Sequence, residues 1–91
     1  MNVLERAAHS KELLENTIFK EAFSAIRSDL ISKLETVGFQ DIDAQHELTL
    51  MLQLLKRVKS QLERWVDDGK VESKKIEASN WRERVVQRWR G

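Results

Sequence analysis

The sequence predicts an all-α protein: an antiparallel helical hairpin, preceded by a short N-terminal helix and followed by an amphipathic helix or tail rich in tryptophan and arginine. Three observations predict this class. The 91 residues include no proline and only three glycines, so residues that interrupt helices are scarce. Charged residues make up 34% of the chain and hydrophobic residues 41%. The hydrophobic residues recur at spacings of three and four, which is the repeat of an amphipathic helix.

The first predicted helix is short and ends near Asn16. Asn16 and Thr17 are a poor pair for a helix interior but can cap a new helix, so a kink or short turn is expected there. The second helix carries one apolar stripe about five turns long, which ends at Gly38. The stripe consists of Ile18, Phe19, Ala22, Phe23, Ile26, Leu30, Leu34 and Val37.

A loop of residues 39 to 43 joins the second helix to the third. Its aspartates can cap the third helix, and Ile42 is expected to pack on that helix as a hydrophobic staple. The third helix is predicted from residue 44 to about residue 68, with Gly69 at its C′ position and a last turn that frays because it holds two aspartates. Two long helices joined by a short loop pack antiparallel as an αα-hairpin.

A regular apolar seam runs along the third helix in steps of three and four residues. This spacing is the a/d repeat of a coiled coil, sustained for about two and a half heptads, and it predicts self-association into a homo-oligomer. Leu50, Leu52 and Leu54 widen the apolar surface, so this end is buried on more than one side or contacts a second subunit. The seam residues are Leu48, Met51, Leu55, Val58, Leu62 and Trp65.

The rest of the chain is predicted to be a separate unit. Residues 70 to 80 hold few apolar groups and are interpreted as a linker or weak helix. Ser79 or Asn80 can cap a final helix that starts at Trp81. A helix of about ten residues is unstable alone in water, so it must pack on the hairpin, a partner or a surface. The predicted organisation is a hairpin domain of residues 1–69, a linker of residues 70–80 and a docking helix of residues 81–91.

The final helix carries the residue types most enriched in interface hot spots. Trp81, Val85 and Trp89 lie four residues apart, which suits a helix that anchors in a groove of a larger protein. Seven basic and three acidic residues from residue 70 onward give a net charge of +4, whereas residues 1–69 carry −3, so an acidic partner surface is expected. The predicted partner-binding residues are Trp81, Arg82, Arg84, Val85, Arg88 and Trp89.

Other interpretations of this helix stay open. Its arginines can contact phosphates while its tryptophans stack on unpaired bases, so nucleic acid is the second choice of partner. A membrane interface is a weaker choice, because one short helix gives only marginal affinity. Finally, both tryptophans can fold back on the hairpin and complete its core.

Nothing in the sequence predicts an enzyme, a metal site or a cofactor. His9 and His46 are far apart, and no glycine-rich phosphate loop is present. Helix capping is the preferred interpretation of the densest polar group, although its oxygens and imidazole could ligate a metal. That group consists of Asp41, Asp43, His46 and Glu47. The chain lacks cysteine, and neither a signal peptide nor a membrane-spanning run is recognised.

Residues 4 to 69 also resemble a protein family. The pattern runs Ala7-Ala8, then Leu13-Leu14-Glu-Asn-Thr-Ile-Phe19, then Glu21-Ala22-Phe23, and ends with a long helix, an Asp-rich loop and a leucine-rich helix reaching Asp-Asp-Gly69. It is similar to small all-helical proteins of tailed bacteriophages, whose genes often lie among those for heads, portals and tails.

The resemblance implies a virion component or assembly factor, located in the host cytoplasm or the virion, and it transfers no catalytic residue. The resulting hypothesis is a non-enzymatic phage structural or assembly protein that self-associates and docks on a larger partner. The alternatives are a small helical DNA-binding or regulatory protein and a phage inhibitor of a host protein.

Overall fold

The computed structural model describes residues 1–90, and these form three helices with no strand. Helix α1 is Val3–Glu15, α2 is Thr17–Thr36 and α3 is Ile42–Arg90. The predicted all-α class is therefore confirmed. Gly91, the last residue of the predicted docking helix, lies outside the described residues.

Asparagine side chains begin the first two helices. The Oδ1 atom of Asn2 accepts a hydrogen bond from the backbone N–H of Glu5 at 2.8 Å. Asn16 has an extended backbone, and its Oδ1 accepts from the backbone N–H of Phe19 at 2.9 Å. Each bond satisfies one of the amide groups that a helix N-terminus leaves without an intrahelical partner. The predicted interruption at Asn16 is confirmed, and Asn16 is the only residue between α1 and α2.

Helices α1 and α2 lie one after the other along α3 and run antiparallel to it. Leu4 lines a cavity with Glu77, and Leu14, farther along α1, lines one with Lys59. On α2, Ile31 lines a cavity with Leu52 and its neighbours. The residue numbers of α3 thus decrease along the rod as those of α1 and α2 increase, which is consistent with the predicted antiparallel hairpin.

The turn between α2 and α3 confirms one expectation and corrects two. Asp41 caps α3, because its Oδ1 accepts from the backbone N–H of Ala44 at 3.2 Å. Gly38 does not end α2, because the helix ends at Thr36, two residues earlier, and neither Gly38 nor Gly69 has positive φ. Ile42 is no staple, because it is the first residue of α3 and its side chain points into solvent with 71% exposure.

Gly69 does not end α3, which corrects the predicted boundary there. The helix is 49 residues long in total and includes residues 70–80, which were predicted to be either a linker or a weak helix. The two aspartates before Gly69 therefore lie inside the helix and not in a fraying last turn. Gly69 is buried, and a Cβ atom built on it would overlap the Cβ of Ala7. The absence of a side chain is used here to let α1 approach α3, not to release the chain from the helix.

The molecule is a rod with a thin core. Its principal extents are 77 × 25 × 19 Å, and α3 alone accounts for about 73 Å at 1.5 Å per residue. The radius of gyration is 21.5 Å, against about 12 Å for a compact chain of this length. Leu30 and Leu62 are the buried hydrophobic residues. Most of the apolar side chains therefore contact solvent on at least one side.

Candidate docking surfaces

The C-terminal end of α3 extends beyond the part of the helix that α1 covers. The cavity between α1 and α3 reaches Glu77. Beyond it, Trp81 is 63% exposed and Trp89 is 85% exposed. Val85 is only half-buried, because it lies one turn from each tryptophan on the same face. The tryptophans do not fold back on the hairpin, so that interpretation of the sequence is wrong.

Arginines flank this apolar face. Arg82 projects on one side of it, and Arg84 and Arg88 project together on the other side, since they are four residues apart. All three side chains are exposed, and none forms an ion pair with another residue of the described chain. The end of α3 thus presents two aromatic anchors between unpaired positive charges.

The predicted self-association seam is divided between two environments. Leu62 is buried against the hairpin, and Leu48 and Leu55 are half-buried. Met51 and Val58 are about half exposed, at 49% and 47%. Self-association stays a prediction, and of these five residues only Met51 and Val58 keep about half of their surface free for it.

Trp65, the sixth residue of the seam, is engaged by α1. The guanidinium carbon of Arg6 lies 4.9 Å from the centroid of a Trp65 ring, which is cation–π distance. The Nε of Arg6 is buried and has no hydrogen-bond partner among the described residues. This contact holds the N-terminal half of α1 on α3.

An exposed apolar surface includes two residues of the seam and extends beyond it. Leu50 and Leu54 are exposed on α3 together with Met51 and Val58. Ile26 of α2 is also half exposed, and the helical repeat of the antiparallel pair turns it to the same side of the hairpin. We call these five residues the lateral stripe. The sequence predicted that Leu50 and Leu54 widen the apolar surface of α3. Whether α2 covers them depends on where α2 packs, which the sequence did not predict.

One residue of the polar group at the start of α3 has a structural role. Asp41 is occupied as a helix cap. Within residues 1–90, no cluster of three or more His, Asp or Glu side chains is arranged to hold a metal ion. None of the helices described here is both long and apolar enough to cross a membrane.

Comparison with known proteins adds no assignment. No family model matches the chain, and no curated protein or solved structure matches it significantly. The resemblance of residues 4–69 to small phage proteins therefore stays a prediction.

Proposed function

We propose that this chain is a non-enzymatic structural or assembly protein that docks on a larger protein through the C-terminal end of α3. The observation that supports this most is the pair of exposed tryptophans, Trp81 and Trp89, on a helix end that no other part of the described chain covers. Each tryptophan brings 150–250 Å² of surface that is costly to leave in water. A partner that buries both explains why they are present.

The arrangement of charge favours a protein groove over the other surfaces. An apolar line of Trp81, Val85 and Trp89 matches the i, i+4, i+8 anchors of helix-in-groove recognition. The flanking arginines then meet acidic side chains at the rim, where Arg forms bidentate pairs with carboxylates. A nucleic-acid backbone leaves the apolar line without a counterpart, and a membrane interface binds so short a helix only marginally.

Self-association is the second part of the proposal. The accessible surface is 7836 Å², whereas a compact monomer of 10.7 kDa exposes about 5,500 Å². The difference of about 2,300 Å² is comparable to the area that one subunit contributes to an obligate homodimer. The lateral stripe, with Leu54 at 62% exposure, is the apolar surface of the hairpin on which such a contact would centre.

The assembly role in a tailed phage comes from the resemblance of residues 4–69. It makes head, portal and tail subunits the first partners to test, with the protein located in the host cytoplasm or the virion. A stiff rod with a docking surface at one end is well suited to bridge subunits, since binding at that end fixes the position of the rest of the molecule.

Site-specific photo-crosslinking in the producing cell tests the docking surface. A photoreactive benzoylphenylalanine replaces Trp89, and the matched control replaces Gln87 on the opposite side of the same helix turn. We expect the Trp89 variant, but not the Gln87 variant, to form one discrete protein adduct. Adducts of equal yield at both positions, or none at either, would refute groove docking.

A double substitution then separates docking from folding. Arg82→Glu with Trp89→Ala should abolish co-purification with the crosslinked partner and leave the helical circular dichroism unchanged. Loss of helicity together with binding would mean that the end of α3 serves folding rather than docking.

One observation favours a second candidate function, a small DNA-binding or regulatory protein: the +4 charge of residues 70–91. That function requires an affinity for duplex DNA that falls steeply as salt rises. A nucleic-acid adduct at position 89 would support it. A host protein as the crosslinked partner would support the third possibility, an inhibitor of a host protein.

A further inference from the structure

A groove runs between α2 and α3 on the side of the hairpin opposite the lateral stripe. It consists of a cavity of about 520 Å³ and an adjoining one of about 270 Å³, and the two share Phe23, Arg27 and Lys59 as lining residues. Phe19, Phe23, Ile31 and Leu55 contribute apolar surface to it. From Phe19 to Ile31 its wall spans about 18 Å at 1.5 Å per residue.

Positive side chains line both walls of this groove. Lys20 and Arg27 belong to α2, and Lys56 and Lys59 belong to α3. Glu63 is the one acidic residue among the lining side chains. The groove therefore combines an apolar floor with a net positive rim.

These cations have no partners within the chain. None of the four takes part in an ion pair among the described residues. Lys20, Arg27 and Lys56 also have no acidic residue three or four positions away on their own helix, and Lys59 has only Glu63. By contrast, Lys33 on α2 pairs with Asp29 at 3.0 Å.

We propose that the groove binds an amphipathic helix of about three turns that carries acidic residues on both flanks of its apolar face. Three turns match the 18 Å wall, the apolar face covers the floor, and the acidic flanks meet the cations of both walls. The basic end of α3 from a second copy is excluded as the occupant, because its arginines would face charges of the same sign. A nucleic-acid backbone would leave the apolar floor uncovered.

This groove is independent of the C-terminal docking surface. Lys59 and Trp89 lie thirty residues apart on one continuous helix, a separation of about 45 Å. A chain with both surfaces holds an acidic helix at one place and a second partner at a fixed distance from it. It therefore acts as a spacer between two binding partners.

Fluorescence anisotropy with the full chain and three labelled synthetic peptides tests the groove. The probe is a 14-residue peptide with leucines at helical spacing and glutamates on both flanks. The second peptide has lysine in place of every glutamate, and the third has the probe's composition in scrambled order. We expect binding of the first peptide only, with an affinity that falls as salt is raised.

Three double variants locate the bound peptide. Lys56→Glu with Lys59→Glu reverses the groove wall and should weaken binding roughly tenfold or more, since two favourable charge contacts become repulsive. Arg57→Glu with Arg64→Glu makes the same charge change on the outer face of α3 and should leave binding within about twofold. Arg84→Glu with Arg88→Glu makes the same charge change at the C-terminal end of α3 and should also leave peptide binding unchanged.

The other outcomes overturn the inference. Failure of the probe to bind refutes it, as does equal binding of the scrambled peptide. Loss of binding only in the Arg84 and Arg88 variant assigns the acidic helix to the end of α3 and leaves the docking function intact. Nucleic acid is the ligand if duplex DNA binds more tightly than the peptide and displaces it, and if the Lys56 and Lys59 variant no longer binds the DNA. A concentration-dependent mass that only the groove variant removes makes a second copy the occupant.

Discussion

Gly69 lies against Ala7 where α1 packs on α3, so close that a Cβ atom on Gly69 would overlap that of Ala7. Ser10, one turn farther along α1, is buried at 4% exposure and donates a hydrogen bond from its Oγ to the carbonyl of Arg6 at 2.7 Å. Small side chains and a satisfied hydroxyl thus allow the two backbones to approach closely. This contact determines where α1 lies along the rod.

The Gly69 contact predicts the sign of an alanine substitution. In an exposed helix interior, glycine to alanine stabilises by about 1 kcal/mol. Gly69→Ala should instead destabilise the protein by about 1–3 kcal/mol, because α1 must move away from α3. Urea unfolding followed by circular dichroism measures the change.

The control for this prediction is Gly38→Ala, since nothing lies within 4 Å of a Cβ there and Gly38 does not have positive φ. It should be neutral or stabilise by up to about 1 kcal/mol. The double variant Ala7→Gly with Gly69→Ala should be more stable than the sum of the single changes predicts. Stabilisation by Gly69→Ala alone would contradict the close packing.

The cap at Asn16 predicts a local loss of stability. Asn16→Ala removes the acceptor of the Phe19 amide and should cost about 0.5–2 kcal/mol. Asn16→Asp keeps a side-chain oxygen in place and should cost no more than a few tenths. The difference between the two melting temperatures checks this. Equal values would mean that the break between α1 and α2 needs no cap.

The exposures of the tryptophans predict their fluorescence. In variants that keep one tryptophan and replace the others with phenylalanine, acrylamide should quench Trp89 most, then Trp81, and Trp65 least. The order follows because Trp89 is 85% exposed and Trp81 63%, whereas Trp65 is half-buried with Arg6 over its ring. Strong shielding of Trp81 and Trp89 in a protein that light scattering finds monomeric would mean that the end of α3 packs on its own hairpin.

Two truncations should differ in their effect on stability. Ending the chain after Ala78 removes only the exposed end of α3 beyond the cavity that α1 lines, so the free energy of unfolding should change by less than about 0.5 kcal/mol. Ending it after Gly69 removes Ser73 and Glu77, which line the cavity between α1 and α3 together with Leu4 and Ala8 of α1. This truncation should destabilise the protein measurably. Equal stability of the two truncated chains would refute this assignment of the helix contacts.

The lateral stripe predicts the effect of a charge on oligomeric state. Leu54→Lys should convert an oligomer to a species of 10.7 kDa in sedimentation equilibrium, because it buries an unpaired ammonium in the contact. Ile42→Lys places the same charge at an apolar residue outside the stripe that is at least as exposed, and it should leave the mass unchanged. A wild-type chain that is already monomeric at high micromolar concentration would rule out the contact.

Local signals in the sequence predicted the helical class and several of the helix boundaries. Asn16 and Asp41 were recognised as caps because capping depends on a side chain and an amide three residues away. Gly69 was misinterpreted for the same reason: a glycine after a helical pattern is a local stop signal. The helix continues through it because α1, more than fifty residues earlier in the chain, packs against it.

The two docking surfaces differ in how much of each could be predicted from the sequence alone. The end of α3 was recognised from residue type and spacing, and its exposure follows from the absence of any described helix beside it. The basic groove was missed, although one signal was present: three of its four cations lack an acidic residue at helical spacing. That these cations face one another across a groove depends on the register between α2 and α3.

The sequence by itself determined that this chain is helical, where its second helix begins and which residues form the apolar faces, because each of these depends on neighbours within about four positions. Only the tertiary structure decided how those faces are used. The apolar surface of α3 is wider than α1 and α2 can cover, so Leu62 becomes core while Leu54 and Val58 stay largely in solvent. That division depends on the position of one helix against another, which is set by packing between residues far apart in the chain.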